Sequence, residues 1–236
     1  MENKSRIGII GGGNLYHLSF LSKLELKNYN TSYGEVFYYL TQGCPLILRH
    51  SVPNNKPPHK INYQANIKAF KDLGVKHIFS FNSVGSCKKP IKPGKFLIPH
   101  DYINFDTITF YNQEPRYTTP EISSKLRNVL INILKNLKFE FKSQGVYFQT
   151  RGPRYETKAE IKLIKKFADV VGMTMGKEAT LARELDLEYA SLCSVDNYAH
   201  GIVKRPLTQE IIKEHEIQVK DKIEKIIEGI LKLSSI

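Results

Sequence analysis

Residues 147–201 read YFQTRGPRYETKAEIKLIKKFADVVGMTMGKEATLARELDLEYASLCSVDNYAHG. Three apolar runs stand out, at Gly145–Gln149, Asp169–Val171 and Tyr189–Val195, and each is read as a strand. A turn follows each one: Pro-Arg-Tyr-Glu, Gly-Met-Thr and Asp-Asn-Tyr. Between them, Thr157 and Glu160 have capping-box spacing and open a helix, and Glu178–Leu185 is helical. Strand and helix therefore alternate, which is the pattern of an α/β domain. In such a sheet, side chains in the turns outside the carboxyl ends of the strands converge on a ligand. These turns offer an aromatic face, a carboxylate, a thioether, a hydroxyl and a carboxamide. That set suits a flat, nitrogen-rich base joined to a sugar.

The same alternation extends in both directions. Arg6–Ile10 is an apolar run ending in Gly11-Gly12-Gly13-Asn14, and Cys44–Leu48 is a strand ending at Arg49-His50. Tyr63–Leu73 has helical spacing and stops at Gly74. His77–Phe81 is a strand with a turn at Asn82-Ser83-Val84-Gly85-Ser86, and Phe96–Pro99 is another. Ile122–Leu137 is a helix with Leu126, Val129, Leu130 and Ile133 on one face. Thr208–Leu233 forms a long terminal helix, and Asn104–Pro120 reads as a surface loop of the kind that serves as a lid or subunit contact. The expectation is one α/β domain over residues 1–236, with a central mixed twisted sheet flanked by helices.

Composition narrows the partners. At 236 residues the chain can bury one sizeable core, and 41% hydrophobic with 25% charged residues is ordinary for a globular protein. No apolar stretch approaches the roughly 20 residues that span a bilayer, and the N-terminus lacks the pattern of a signal peptide. A cytoplasmic location is expected. Cys44, Cys87 and Cys193 have no disulfide or metal-site spacing and are read as free, buried thiols. The net charge of +12 comes without a nucleic-acid motif. It is read as a solvated surface whose field favours small anionic substrates.

Taken singly, the candidate residues are weak signals. The Gly11–Gly13 turn could turn its backbone N–H groups to a phosphate, but the third glycine of a dinucleotide fingerprint is missing, which disfavours a nicotinamide-dependent enzyme. Arg49-His50 has the planar fork of an anion clamp. Asn82-Ser83 and Thr174 add donors after other strands. Tyr155 could stack on a base and Glu156 accept its N–H protons, though in isolation Tyr155 reads as core packing and Glu156 as a helix N-terminal carboxylate. Met173 taken alone is more often core than a ligand contact, and Asn197 at a strand end could be simply a turn former.

Together the residues resemble the trimeric purine nucleoside phosphorylases, including their methylthioadenosine phosphorylase branch. The similar segments are collinear over nearly the whole chain: IGIIGG (7–12), PPHKINYQANIKAFKDLGV (57–75), SVGS with IKPGKFLIP (83–99), GPRYET (152–157), ADVVGMT (168–174), EATLAREL (178–185) and NYAHGI (197–202). The resemblance implies phosphorolysis, in which inorganic phosphate displaces a purine at C1′ of the sugar, without metal or organic cofactor. It implies phosphate binding by Gly13, Arg49, His50, Asn82, Ser83 and Thr174. It implies that Met173 packs on the ribose, Tyr155 stacks on the purine, Glu156 and Asn197 bond its edge, and Tyr198 and Ala199 complete the pocket. Catalysis would fall to Asn197, His50 and Glu156. The implied partners are a purine nucleoside and phosphate, with no specific nucleic acid or membrane, in a homotrimer or dimer of trimers.

The pair Glu156 and Asn197 implies substrate choice. In the family, Asp at the second position suits adenine, whereas Glu with Asn suits 6-oxopurines: inosine, guanosine or methylthioinosine. Methylthioadenosine phosphorolysis is the alternative reading, and a nucleoside-binding homologue with feeble catalysis is a third. Several positions depart from the family. Gly13 stands for Ser or Thr, Arg151 for Glu, Asp196 for Thr, Asn54 for His and Lys177 for Pro. Arg151 is the expected partner of Asp196.

Overall fold

A computed structural model of the chain describes residues 7–52, 56–204 and 206–233; Arg6 and Asn54 lie outside them. In chain order the elements are β1 (Ile7–Gly11), α1 (Gly13–Tyr16), β2 (Leu26–Thr31), β3 (Gly34–Thr41), β4 (Cys44–Leu48), α2 (Tyr63–Asp72), β5 (His77–Ser86), β6 (Phe96–Leu97) and β7 (Asp101–Ile103). There follow α3 (Ser124–Asn136), β8 (Phe141–Lys142), β9 (Val146–Gln149), α4 (Lys158–Ile164), β10 (Val170–Gly172), α5 (Met175–Glu184), β11 (Glu188–Tyr198) and α6 (Gln209–Leu231).

The strands make one mixed sheet in the order β2-β3-β4-β1-β5-β10-β9-β7, with β11 on the other flank of β5 and leading to β6 and β8. β4, β1, β5 and β11 run parallel, and β10 meets β5 antiparallel. β1, β4 and nearly all of β5 and β11 are buried, as parallel strands covered on both faces must be. Ile9, Ile10, Leu46, Ile47, Phe79 and Phe81 fill this core. Apolar faces close over it: Leu126, Leu130 and Leu134 of α3, and Ile223, Ile226, Ile227 and Ile230 of α6.

Two local features build the site. β1 pairs with β5 only from Ile7↔His77 to Gly11↔Phe81, and β10 joins the same edge only at Gly85 and Ser86. Asn82, Ser83 and Val84 therefore face a gap in the sheet, bounded by the Gly11–Gly13 turn and the Gly172–Thr174 turn. This is a topological switch point, where open α/β sheets place ligands. On the other flank, Val195 pairs with Val84 but Asn197 with Gly85, so Asp196 is the extra residue of a β-bulge. Bulges re-aim side chains beside active sites.

Several expectations shift. β5 does not stop at Phe81 but runs to Ser86, and β11 does not stop at Val195 but runs to Tyr198. Asn82-Ser83 and Asn197 thus lie within strands rather than in turns after them. Polar residues can continue a buried strand here because their side chains bond one another. α5 starts at Met175, not Glu178. The hairpin of β2 and β3 was absent from the sequence reading, its alternation being half-exposed and weakly apolar. Residues 104–120 carry no helix or strand, as expected. Their loop is held to α5 by Lys177 Nζ to Asp106 at 2.7 Å and by the Phe110 N–H to Glu184 at 2.7 Å. The capping box of Thr157 and Glu160 is present, and Gly74 ends α2 at φ +82°.

The start of α5 is fixed from β9. The Tyr147 hydroxyl accepts the N–H of Thr174 at 3.1 Å, and the Gln149 carbonyl oxygen accepts that of Gly176 at 2.6 Å. These bonds satisfy donors that a helix start leaves open. Tyr147→Phe strips a fully buried acceptor from that turn. It is expected to cost about 1–3 kcal/mol, read as a lower midpoint with unchanged slope in denaturant unfolding.

Candidate functional site

One cluster of candidate residues is built around Arg49, just past β4 and 2% exposed. Its Nε and Nη2 bond both oxygens of Glu178 at 2.5 and 3.0 Å. Nη2 also reaches Ser80 Oγ at 2.8 Å, and Nη1 the Phe81 carbonyl at 3.0 Å. Burial opposes the guanidinium charge, and Glu178 more than offsets that, so the arginine stays protonated. The expected two-pronged clamp on an anion is thereby corrected: the fork is committed to Glu178. A remaining Nη1 donor faces the glycine turn, 3.1 Å from where a Gly12 Cβ would stand.

His50 approaches the same spot, its Nε2 lying 3.2 Å from that Cβ position. Its Nδ1 is 2.7 Å from the Lys56 carbonyl oxygen, which can only accept, so Nδ1 carries the hydrogen. Burial and then the Arg49 charge lower the pKa of the ring. The neutral imidazole offers Nε2 as an acceptor to whatever fills the turn. Close approach of both side chains is possible because Gly12 has none.

Asn82 is 1% exposed and serves the interior. Its Nδ2 donates to Ser80 and Ser191 at 2.9 and 2.7 Å, and its Oδ1 accepts from Thr174 Oγ1 at 2.8 Å. The structure thus gives Asn82 a scaffolding place that joins β5, β11 and the start of α5 across the gap. Ser83, next along the strand, is half-buried. Gly13 meets α6: a Cβ there would stand 2.0 Å from Glu216 Oε1.

A second cluster of candidate residues lies at the ends of β9 and β11. Glu156 is buried, and Thr150 Oγ1 donates to its Oε1 at 2.6 Å. Its backbone carbonyl accepts from Nδ1 of His200, three residues beyond Asn197, at 3.0 Å. Asn197 is buried against Gly85, where a Cβ would come 3.1 Å from its Nδ2, and that Nδ2 donates to the Tyr198 carbonyl at 2.9 Å. The carboxylate and the amide are thus pinned on segments bonded to each other. Gly152, with φ +66° and its Cβ position 2.6 Å from Met173 Sδ, packs the 152–156 turn on Met173. Tyr155 is 40% exposed beside it. Tyr198 turns its hydroxyl away to the Lys89 carbonyl at 3.1 Å, and Ala199 is packed among Cys87, Ile161 and Val171. Tyr198 lines the adjoining cavity, whereas Ala199 packs inward.

Among the described residues Asp196 has no ion-pair partner. Arg151 is exposed, so the expected pairing is not formed. Neither carboxyl oxygen completes a hydrogen bond, although the Ser83 and Ser194 hydroxyls adjoin it. Burial raises its pKa to about 8, with Glu216 adding to the shift. It borders a cavity of about 210 Å³ together with Asn197, Tyr198 and His215.

Thr150, Glu178, His200 and Glu216 escaped the sequence reading. Only Glu178 left a signal there, as an acid on the apolar face of a helix. Among the described residues no His, Cys, Asp or Glu cluster could hold a metal, and no helix is long and apolar enough to cross a membrane. The three cysteines are free and buried, with their thiols pushed up to about 12.

The profile of the phosphorylase superfamily matches residues 6–232. The chain belongs to that superfamily. It is 42% identical over 234 residues to the "Probable 6-oxopurine nucleoside phosphorylase" of Archaeoglobus fulgidus, covering 96% of each chain. It is 43% identical over 233 residues to the "Probable S-methyl-5'-thioinosine phosphorylase" of Methanocaldococcus jannaschii, covering 95% of this chain and 91% of the relative. The fold matches a methylthioadenosine phosphorylase from Schistosoma mansoni solved with adenine. That superposition has a TM-score of 0.83 at 23% identity, over 95% of this chain and 90% of the other.

Two expected outcomes follow for this phosphorylase. Glu178→Ala leaves a buried guanidinium unpaired and is expected to cost about 3–5 kcal/mol, measured by equilibrium unfolding. Asp196 holds a proton in the fold that the unfolded chain releases between pH 3.8 and about 8. Its contribution therefore makes stability fall as pH rises through that window. Asp196→Asn should flatten this slope and raise stability at neutral pH; an unchanged pH–stability curve would show that the carboxyl is not buried in this way.

Proposed function

We propose that the chain catalyses phosphorolysis of 6-oxopurine nucleosides, releasing the base and ribose 1-phosphate or its 5-methylthio analogue. The His200 hydrogen bond to the Glu156 carbonyl, which ties together the segments that carry Glu156 and Asn197 near the sheet gap, carries this reading. The names of the Archaeoglobus and Methanocaldococcus relatives agree with it.

With one Glu156 oxygen engaged by Thr150, the other accepts the N1–H of hypoxanthine or guanine. Asn197 has a second N–H for O6 and a carbonyl for the hydrogen that N7 gains as the base leaves. The exposed ring of Tyr155 is the stacking platform, and Met173 lies under the sugar. Departure of the base builds positive charge on the sugar, as in other glycosyl transfers. Phosphate over the Gly12–Gly13 turn stabilises that charge and then attacks C1′. Nη1 of Arg49 holds one phosphate oxygen, and His50 Nε2 accepts the hydrogen of monohydrogen phosphate. These groups are fixed before substrate arrives, so their benefit is preorganised electrostatics. We further propose a trimer in which the 104–120 loop meets a neighbour. That loop leaves Phe105 and Tyr117 at 84% and 95% exposure.

A panel of inosine, guanosine, methylthioinosine, adenosine and methylthioadenosine tests the specificity. The 6-oxopurines are expected to lead, and a lead for adenosine or methylthioadenosine would reverse the reading of Glu156 and Asn197. Asn197→Asp should shift kcat/KM toward 6-aminopurines by about tenfold or more, since a mispaired buried group costs about 1–3 kcal/mol.

A further inference from the structure

The C-terminal helix reaches into the anion turn. Glu216 lies so close to Gly13 that a Cβ there would meet its Oε1 at 2.0 Å and its Cδ at 2.5 Å. The preceding glycine is approached in the same way by Arg49 Nη1 and His50 Nε2. One short turn is thus ringed by a guanidinium edge, a bare imidazole nitrogen and a carboxyl. α6 is held in this position one turn pair further on, where Glu224 accepts the backbone N–H of Ser19.

The surroundings of Glu216 set its charge. Burial raises its pKa above the ordinary carboxylate range, and Lys213 on its own helix opposes that only in part. Asp196 on β11 and Tyr155 on the base-side turn both feel Glu216 as a destabilising negative charge. Across Gly12, the Arg49 charge is already matched by Glu178 and His50 is neutral. A phosphate on this turn would add further negative charge.

We propose that Glu216 is a phosphate-binding residue, acting as the neutral acid whose O–H donates to a phosphate oxygen above Gly13. This rests on the reading of the turn as the phosphate half of a phosphorylase site. An ionised Glu216 would repel the same oxygen, so the protonated form binds and the bare carboxylate does not. Phosphate binding is therefore coupled to proton uptake once the solution is alkaline enough to ionise Glu216 in the free enzyme.

The test is the KM for phosphate at saturating inosine, from about pH 6 to about pH 9, in the wild type, Glu216→Gln and Glu216→Ala. At the acid end the Gln variant should match the wild type, while the Ala variant needs about five- to tenfold more phosphate, the worth of one lost donor. Toward the alkaline end the wild type should drift to the Ala value and the Gln variant should not. The wild-type to Gln ratio cancels the ionisation of phosphate itself. KM for inosine should stay nearly level in all three. Gly13→Ser combined with Glu216→Ala places a hydroxyl in the vacated space and should recover affinity without the alkaline drift.

An Ala variant that binds phosphate as well as or better than the wild type at every pH overturns the proposal, as does a Gln variant that follows the wild-type drift. Calorimetric titration of phosphate alone, in two buffers of different ionisation enthalpy, separates failure here from failure of the functional reading. It should show about one proton taken up at the alkaline end by the wild type and none by the Gln variant, whether or not nucleosides turn over. Phosphate binding without that uptake would also contradict the role of Glu216.

Discussion

Arg49 carries its charge into the middle of the protein, and Glu178 is what allows it to stay there. The pair is nearly inaccessible to water, so neither partner is tolerable alone. Its geometry also decides more than charge. Ser80, Asn82, Ser191, Thr174 and Tyr189 are linked to Glu178 or to each other by hydrogen bonds of 2.7–2.9 Å. Those residues come from β5, β11 and the start of α5. The network therefore spans the gap that β1 and β10 leave open along β5, and it holds the walls of that gap at fixed separation. Only the outer edge of the guanidinium remains for a ligand, and it points at the glycine turn.

The candidate site combines three groups of residues with different freedom. The ion-pair network is closed and serves as scaffold. Glu156 and Asn197 are positioned by single bonds from Thr150, His200 and the neighbouring backbone, each keeping spare hydrogen-bonding capacity. Asp196 and Glu216 are acids whose pKa burial raises, close to the Gly12–Gly13 turn. A buried acid with an upward shift is where proton binding and ligand binding become linked. In this chain the bulge at Asp196 and the missing side chain at Gly13 put both acids there.

Much of this was legible in the sequence, for identifiable reasons. Buried parallel strands such as β4 are short, purely apolar runs, so Cys44–Leu48 was readable to the residue. Caps with reciprocal chemistry, as at Thr157 and Glu160, marked a helix start without tertiary help. The errors fell where tertiary bonding overrides local pattern. Asn82, Ser83 and Ser86 look like a turn, yet strand pairing carries β5 through them. The β2–β3 hairpin has one wet face, which blurs its alternation. In the site, residue types were readable but commitments were not. No local signal tells that the fork of Arg49 belongs to a glutamate 129 positions away, or that a helix near the C-terminus delivers Glu216 to Gly13.

The most direct test is a crystal structure of the protein soaked with phosphate and hypoxanthine. The account predicts phosphate over Gly12 and Gly13, within hydrogen-bond reach of Arg49 Nη1, His50 Nε2 and Glu216, with the Arg49–Glu178 pair unbroken. It also predicts the base between Glu156 and Asn197. Phosphate held instead by a freed Arg49 fork, or a base bound away from those two residues, would contradict it.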